Sequence, residues 1–374
     1  MRRSRALPCA ALVLGMVAVG GAVPAVADVV AEVRAPVDLG ALPDGTYSAT
    51  TAINNGNVIT GISRTADGVT HPVRWSSVGE ITQLSLPGGT VFAQTVDINE
   101  SNTVVGYWQD QQLGLYPSSW DASGVRTDLP VPPGSTFNRP NDINDAGTIV
   151  GYANGAAGGA VRWNTDGTIT ELPLLPGSSG GQAVAINNDG TIVGFNNVNN
   201  ILHAVRWTPE GTVTDLGGLG GGFSETVDLN ERGAVAGQSQ AVDGTYHAVR
   251  WSPRGVITDL GDGRAAAIND RGVVVGTSGS HPVRWTGTTM TVLPVLPGDF
   301  QGFAVDVNGA GVVVGISGDP FGVSRGVVWD GAGTATELGP LPGGETTSVN
   351  DINDRETIVG NAYTADGEIH AVRW

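Results

Sequence analysis

The sequence predicts an all-β protein: an eight-bladed β-propeller of four-stranded antiparallel blades, with the ring closed by the N-terminal strand. Three observations lead to this prediction. A unit of about 39 to 45 residues recurs eight times, each unit contains two β-hairpin patterns, and a half-unit near the start of the chain matches the half-unit missing at its end. A four-stranded unit of this length is the size of one propeller blade.

Each repeat is marked by an Asn that follows an aliphatic residue, by a Gly seven residues later, and by a Trp near the end of the unit. The Asn residues are Asn54, Asn99, Asn144, Asn187, Asn230, Asn269, Asn308 and Asn353. The Trp residues are Trp75, Trp120, Trp163, Trp207, Trp251, Trp285, Trp329 and Trp374. Because the landmarks keep their order throughout, the repeat covers residues 36–374.

Within a unit, short alternating segments flank tight turns. In "AVAINNDGTIVGF", residues 183–195, Gly190 suits the positive φ of a type I turn followed by a bulge. One such sheet cannot bury its own faces, so the repeats must stack. An open solenoid would need end repeats with a polar outer face. The first and last units are as regular as the others, which favours a closed ring.

The closure of the ring is predicted from the last five residues, "HAVRW". In earlier units this strand turns back into a partner strand, such as "VITDL" at 256–260, but no partner follows Trp374. One unpaired copy of the partner occurs in "VDLGALP" at 37–43. We therefore expect Asp38 and Leu39 to lie beside residues 371–374 and complete the eighth blade, which leaves no long unpaired edge.

The first residues have the pattern of a signal peptide. Arg2, Arg3 and Arg5 precede an apolar run, and the small residues of 25–27 provide a cleavage site. We predict a signal peptide over 1–27, a short linker over 28–35 and the propeller over 36–374. The protein is then secreted to the extracellular space or the cell envelope.

Composition excludes several classes of function. Removal of residues 1–27 leaves 16 Arg against 36 acidic residues, a formal charge of −20, so nucleic acid is a poor partner. The single Cys, Cys9, lies in the signal segment, which leaves the mature chain without a disulfide or a thiolate ligand. No apolar run outside the signal predicts membrane insertion. We expect a monomer.

The repeated polar residues are predicted to be structural. All five His stand four residues before a Trp, too far apart around a ring to share a metal or form a triad, and each is expected to bond a backbone group. An Arg precedes most of the Trp and is expected to reach an acid on the next blade. The proposed partners are the acids two residues before a landmark Asn: Asp97, Asp142, Asp228, Asp306 and Asp351.

No cofactor or metal is predicted. The turn "DINDAG" at 142–147 loosely resembles a calcium loop, so calcium stays a minority alternative. Such a loop needs oxygen ligands at alternate positions and a distal carboxylate, whereas Ile143 interrupts this one and no matched Glu follows. Turn formation explains the Asn and Gly without an ion.

The sequence resembles the bacterial extracellular HAF-repeat family. The resemblance rests on "DLGGLGG" at 215–221, on the Asn-Asp-x-Gly turn with its later Val-Gly, and on the His-Ala-x-x-Trp ending. Val205, Val249 and Val372 stand where the family has Phe. The resemblance covers residues 36–374, and it implies secretion and a propeller-like fold without a settled activity.

Candidate ligand-binding residues are those that gather in loops or break the repeat. Aromatic residues recur seven or eight positions before the landmark Asn, where a propeller would place them on one face of the ring. These and the neighbouring outliers are Tyr47, Phe92, Phe137, Arg139, Phe223, Phe300, Trp108 and Tyr116. Trp108 and Tyr116 are expected in a longer loop of the second unit. Aromatic rings can stack on sugars or bury peptide side chains. The alternative is that each ring only caps its own blade.

The resulting functional prediction is a secreted, non-catalytic binding or structural module, not an enzyme, whose partner is an extracellular glycan or protein. The alternative is a propeller hydrolase or lyase that uses carboxylates on the same face. Those carboxylates are Asp44, Glu225, Asp262, Asp299 and Glu345.

Overall fold

A computed structural model describes residues 33–155, 159–319 and 322–374. The predicted signal peptide, with Cys9, lies outside the described residues. Within them, the secondary structure consists of short strands arranged in eight sheets. No described segment forms a helix of the length and apolar character needed to cross a membrane.

Two short strands come first, and each of the first seven blades then contributes four strands. The strands up to the fourth blade are β1 (Val33–Arg34), β2 (Val37–Asp38), β3 (Tyr47–Ile53), β4 (Ile59–Arg64), β5 (Thr70–Trp75), β6 (Ile81–Gln83), β7 (Phe92–Ile98), β8 (Val104–Gln109), β9 (Leu115–Trp120), β10 (Arg126–Asp128), β11 (Asn138–Ile143), β12 (Ile149–Ala153), β13 (Gly159–Trp163), β14 (Ile169–Glu171), β15 (Ser178–Ile186), β16 (Ile192–Val198), β17 (Ile201–Trp207) and β18 (Val213–Asp215).

The fifth to eighth blades follow the same pattern, except that the eighth takes its outer strand from the start of the chain. Their strands are β19 (Gly220–Leu229), β20 (Val235–Ala241), β21 (Tyr246–Trp251), β22 (Ile257–Asp262), β23 (Arg264–Ile268), β24 (Val274–Ser278), β25 (His281–Thr286), β26 (Thr289–Val292), β27 (Gln301–Val307), β28 (Val313–Gly318), β29 (Ser324–Trp329), β30 (Ala335–Leu338), β31 (Thr347–Ile352), β32 (Ile358–Tyr363) and β33 (Ile369–Arg373).

The blades form a closed ring, so the predicted eight-bladed propeller is confirmed. Strands are antiparallel neighbours in chain order within each blade. The first strand of every blade contacts the first strand of the next, and β31 of the last blade contacts β3 of the first. These inner strands surround the central axis. Interblade loops and second-to-third-strand loops meet on one side, which we call the loop face; the landmark Asn turns lie on the opposite turn face.

The ring closes as the sequence predicts. Strand β2 pairs antiparallel with β33, with Val37 opposite Arg373 and Asp38 opposite Val372. The N–H of Leu39 donates to the carbonyl of Ala371 at 2.9 Å, and the Leu39 carbonyl accepts the indole N–H of Trp75. The segment assigned as a linker also takes part, because β1 pairs in parallel with β30 of the seventh blade.

The hydrophobic core is divided among the interfaces between blades. Trp207 of the fourth blade is fully buried and packs in one cluster with Val150 and Ala160 of the third. Its Nε1 donates to the carbonyl of Pro173 at 2.7 Å. Comparable indole bonds to a carbonyl of the preceding outermost strand or of the interblade loop after it occur at most of the other repeat Trp residues. The repeat Trp is therefore the wedge that joins neighbouring blades.

The landmark Asn residues form a closed ring of hydrogen bonds. Each side chain donates from Nδ2 to the carbonyl of the landmark Asn of the next blade, from Asn54 to Asn99 and onward until Asn353 returns to Asn54. Their Oδ1 atoms accept the N–H four residues later and hold the turn. One residue type thus shapes the turn and links the blades, which explains why the Asn recurs in all eight units.

The repeated His and Arg are structural, but their predicted partners are wrong. His203, His247 and His370 face carboxylates of the outermost strand, at 2.9–3.0 Å from Asp215, Asp259 and Asp38. The Arg residues do reach the next blade, yet they donate to backbone carbonyls of its turns, as Arg162 does to Pro209 at 2.7 Å. The spacing of residues along a strand predicts which face of the sheet a side chain occupies. It does not predict which backbone carbonyls of the neighbouring blade lie near that face.

The five repeated Asp serve a different purpose. Each accepts the backbone N–H of the residue before the landmark Asn of the next blade, as Asp142 does from Ile186 at 2.7 Å. Burial raises the pKa of Asp306 well above its usual value, and the nearby carboxylate of Asp351 is the second largest cause. The protonated form of Asp306 is therefore favoured at the interface between the seventh and eighth blades.

Replacing Asp306 by Asn is expected to flatten the pH dependence of stability. Because the pKa is raised in the folded protein, the favourable contribution of the protonated Asp306 is complete below the ordinary pKa of Asp and is lost as pH rises through the raised value. Urea unfolding from acidic to alkaline pH should show D306N gaining stability over the wild type at the alkaline end.

Asp228→Asn is the matched control, because the neighbouring blades carry Ala185 and Ala267 at this position. It removes an acceptor for Ile268 and only the smallest of the charge effects on Asp306, so it should lower stability and show a much smaller alkaline gain than D306N. If D306N loses as much stability as D228N at every pH, a raised pKa of Asp306 is ruled out.

Candidate active site

The candidate active site lies where the inner strands reach the loop face. One register defines it: the residue five before each landmark Asn, which pairs with the residue after the conserved Gly of the second strand. We call these eight residues the mouth ring: Ala49, Gln94, Arg139, Gln182, Glu225, Arg264, Phe303 and Ser348. Their preceding neighbours on the strand are buried while they are partly or fully exposed, as the pleat requires.

Polar chemistry is concentrated on one arc of the mouth ring. The third to sixth blades present Arg139, Gln182, Glu225 and Arg264 in succession: a cation, an amide, a carboxylate and a cation. The remaining blades supply no charged residue at this register. The repeat therefore breaks its own pattern here, and the break brings together groups that can bind an anion and transfer a proton.

One cleft, of about 340 Å³, lies between the third and fourth blades. It is lined by Phe137, Arg139, Tyr152, Asn154 and Gln182. The rings of Phe137 and Tyr152 meet edge to face with centroids 6.0 Å apart. The guanidinium of Arg139 lies 5.1 Å from the ring centroid of Tyr107, and its buried Nε has no hydrogen-bond partner among the described residues. We call this cleft 1.

A second cleft, of about 320 Å³, lies between the fifth and sixth blades. Its lining includes Tyr246, Asp262, Gly263, Arg264 and Thr277. Gly263 has φ of +147°, and a Cβ there would lie 2.6 Å from the carbonyl of Thr277, so the tight backbone needs Gly. Phe223 meets Tyr246 edge to face, with ring centroids 5.4 Å apart. We call this cleft 2.

Glu225 lies between the two clefts. Strand β19 carries it, and the inner strands on either side, β15 and β23, carry Gln182 and Arg264. Its Oε1 accepts a hydrogen bond from the side-chain amide of Gln238, its partner on β20, which orients the carboxylate. The side chain remains partly exposed. It is the carboxylate of the mouth ring, and it can act as a general base toward a ligand that enters both clefts.

The predicted aromatic residues are spread around the loop face, and most pack on their own blade. Tyr47 lies under Arg64, 4.6 Å from ring centroid to guanidinium, and Phe92 lies 6.3 Å from Tyr107. Phe300 is 42% exposed. The structure brings Phe137 and Arg139 together in cleft 1, as noted above, and Phe223 against cleft 2.

Trp108 and Tyr116 do not lie in a longer loop as predicted. They are on β8 and β9, where their rings stack with centroids 4.5 Å apart, and Arg126 lies 5.6 Å over Trp108. Alternating strand residues that pair across the blade produce this stack, and the unusual aromatic content of the segment was mistaken for an insertion.

Of the five candidate carboxylates, two belong to the mouth. Glu225 is on the ring and Asp262 lines cleft 2. The side chain of Asp299 is fully buried and structural, with Oδ1 2.7 Å from Arg325 and Oδ2 accepting from Ser317. Asp44 adopts a positive φ in an interblade loop, and Glu345 is exposed.

Two members of the arc, Gln182 and Arg264, were not predicted from sequence. The signal that identifies them is variation at a fixed register: aligning the units on the landmark Asn shows charged residues five positions earlier in three blades. Among the described residues, no group of three or more His, Cys, Asp or Glu side chains is placed to hold a metal ion.

Comparison with known proteins identifies the fold but no family. No family model matches the chain, and no curated protein matches it. A solved prolyl endopeptidase matches at 11% identity with a TM-score of 0.54, over 85% of this chain and 54% of that one. A puromycin hydrolase matches at 16% identity with a TM-score of 0.52, over 87% of this chain and 58% of that one. A streptogramin B lyase matches at 13% identity with a TM-score of 0.47, over 90% of this chain and 96% of that one.

The prediction of a non-catalytic binding or structural module is overturned by this finding. The solved structures that match with a TM-score above 0.5 include a puromycin hydrolase and a prolyl endopeptidase, which favours the alternative, a propeller hydrolase or lyase. The chain spans only a little over half of the two hydrolases. At these identities the likeness shows the fold alone, and the activity of this chain has to be argued from its own residues.

Proposed function

We propose that the protein is a lyase that removes a proton next to a carboxylate of its substrate, with Glu225 as the general base. The single observation that carries the proposal is the arc Arg139, Gln182, Glu225 and Arg264, which places one carboxylate between two cations at the mouth of the ring. In the reaction, Glu225 takes the proton, the C–H electrons form a C=C bond, and the neighbouring C–O bond breaks. The leaving oxygen takes a proton from water, and Glu225 then returns its proton to the hydroxide, which restores the base.

The two arginines supply what this reaction needs most. Removing a proton beside a carboxylate builds further negative charge on that group, and a fixed cation stabilises the charge as it develops. A guanidinium binds a carboxylate through two parallel hydrogen bonds, which also fixes the reacting carbon in front of the base. Arg139 lines cleft 1, where its guanidinium can meet such a ligand.

A hydrolase with two carboxylates fits the mouth less well. That mechanism needs one carboxyl group held in its protonated form, normally by an apolar pocket, beside a second that is ionised. Asp262, the other carboxylate at the mouth, is exposed and lines the same cleft as Arg264. The charges at the mouth therefore support proton abstraction by one base.

The proposed site of action is extracellular. The signal-peptide pattern of residues 1–27 and the resemblance to HAF-repeat proteins support this part of the proposal. The substrate is then a carboxylate-bearing molecule outside the cytoplasm.

Substitution of Glu225 is expected to abolish turnover. The wild type is screened against carboxylate-bearing oligosaccharides, peptides and esters for the absorbance of a conjugated alkene. On the best substrate, Glu225→Gln should lower kcat by about 100-fold or more, since it removes the base while keeping the size of the side chain. Glu345→Gln, an exposed acid in an interblade loop of the same face, should retain full activity. Wild-type turnover by a folded E225Q protein would refute the assignment.

A further inference from the structure

Clefts 1 and 2 repeat one set of chemical groups on opposite sides of Glu225. Each is lined by an arginine of the mouth ring, by at least one ring of an edge-to-face aromatic pair and by further polar side chains, which in cleft 2 include the carboxylate of Asp262. In cleft 1 the arginine is Arg139, and in cleft 2 it is Arg264. Phe137 and Tyr246 remain 41% and 40% exposed, so each cleft keeps an aromatic surface open to a ligand.

This similarity does not follow from the blade repeat. Across the eight repeats, the mouth ring carries Arg only in the third and sixth blades, and the two clefts are built from different positions of the unit. Tyr152 is on the second strand of its blade, whereas Tyr246 begins the third strand of its own. Two different arrangements therefore reach the same chemistry, which indicates that one kind of ligand unit fits both clefts.

We infer that the substrate is an acidic oligosaccharide whose uronate units occupy cleft 1 and cleft 2 together, across Glu225; this inference rests on the proposed lyase function. An aromatic ring stacks on the C–H face of a sugar, and a guanidinium pairs with a carboxylate. A uronate carries both features in one rigid unit. An acidic peptide presents its carboxylate on a flexible stem without a flat face for the ring.

The positions of the clefts set the length of the ligand. The clefts lie between the third and fourth blades and between the fifth and sixth, with Glu225 on the inner strand between them. A single uronate can occupy only one cleft, whereas a chain of several units can occupy both and place an inner bond at the base. The enzyme therefore cleaves inside the chain and releases short oligomers.

Because the chain is strongly acidic, it can recognise an acidic ligand only through short-range contacts. The whole chain has a formal charge of −17, so it repels a polyanion at a distance. Attraction must come from direct contact with Arg139 and Arg264 once the ligand is in the clefts. Removing either arginine should accordingly weaken binding much more than removing an arginine elsewhere on the loop face.

The test measures binding by the Glu225→Gln protein, which cannot turn the ligand over. Calorimetric titration with pectate and alginate oligomers of one to six units should show affinity rising with length, and neutral oligomers of equal length should bind at least about tenfold more weakly. Adding Arg139→Gln or Arg264→Gln to this protein should each lower affinity about tenfold. Arg64→Gln, which removes an arginine outside both clefts, should leave affinity unchanged.

Three results would overturn the inference: equal affinity for one unit and six, equal affinity for neutral and acidic oligomers, or unchanged affinity in both arginine variants with intact melting curves. Preferential binding of acidic peptides would overturn it as well, while leaving the elimination chemistry open to other substrates. Failure of the lyase function is distinguishable, because the oligouronates would then bind with the expected length dependence and emerge uncleaved from the wild type.

Discussion

Deletion of residues 33–42 lowers the melting temperature by many degrees or prevents folding, because it opens the ring. Leu39 and Leu42 are buried to 5% and 6% exposure in the cluster that contains Trp75. Burial of two such leucines contributes about 3–6 kcal/mol. The deletion also removes the strand beside β33 and the acceptor of the Trp75 indole, and leaves a free sheet edge. Circular dichroism on heating measures the effect.

A permuted chain provides the control for this deletion. Placing residues 33–42 after Trp374 through a short turn restores the outer strand in the order that every other blade uses. If closure is what stabilises the ring, the permuted protein should melt near the wild type. A deleted protein that melts as the wild type does would mean that the ring is held elsewhere.

Replacing Trp207 by Ala is expected to cost about 3–5 kcal/mol of stability, the range observed for a large buried aromatic side chain. The indole is fully buried between the third and fourth blades, and its loss also leaves the Pro173 carbonyl without its donor. Trp108→Ala is the control, since this Trp is partly exposed and stacks on Tyr116. Urea unfolding should show a clearly smaller loss for Trp108. Equal losses would contradict the assignment of the repeat Trp to the core.

The architecture could be predicted because its main determinants recur in every blade. The landmark Asn, the Gly and the Trp each have the same structural role in every blade. The residues that repeat in the sequence are therefore the ones that hold the blades together. The exchange of the last outer strand between the two ends of the chain was visible for the same reason. A missing half-unit at one end and a spare half-unit at the other leave one arrangement that pairs every strand.

Partners of the polar residues could not be predicted in the same way. Alternation along a strand showed that Arg162 and Trp163 point to opposite sides, yet the carbonyl of Pro209 that Arg162 reaches belongs to a turn of the next blade. Turn carbonyls have no sequence signature. The His residues faced a similar problem, because their carboxylate partners lie twelve residues away in pairs such as His203 and Asp215.

The mouth ring was only partly predicted, because the search for function concentrated on loops. Arg139 and Glu225 were named as candidates from the sequence, whereas Gln182 and Arg264 were not. In a repeat protein the informative position is one whose structure is constant and whose chemistry is not. At the position five residues before the landmark Asn, the first and last blades carry Ala49 and Ser348, whereas blades on the opposite arc carry charged residues. That contrast was present in the sequence.

The most direct test of the central claim, elimination at the mouth of the ring, is the isotopic composition of the product. The wild type is incubated in ¹⁸O-labelled water with the substrate that it cleaves fastest, and the products are analysed by mass spectrometry. Elimination predicts one new end that carries a C=C bond and no ¹⁸O at the cleaved position. A product without the alkene that carries one ¹⁸O would mean that water cleaved the bond, and it would contradict the assignment of the protein as a lyase.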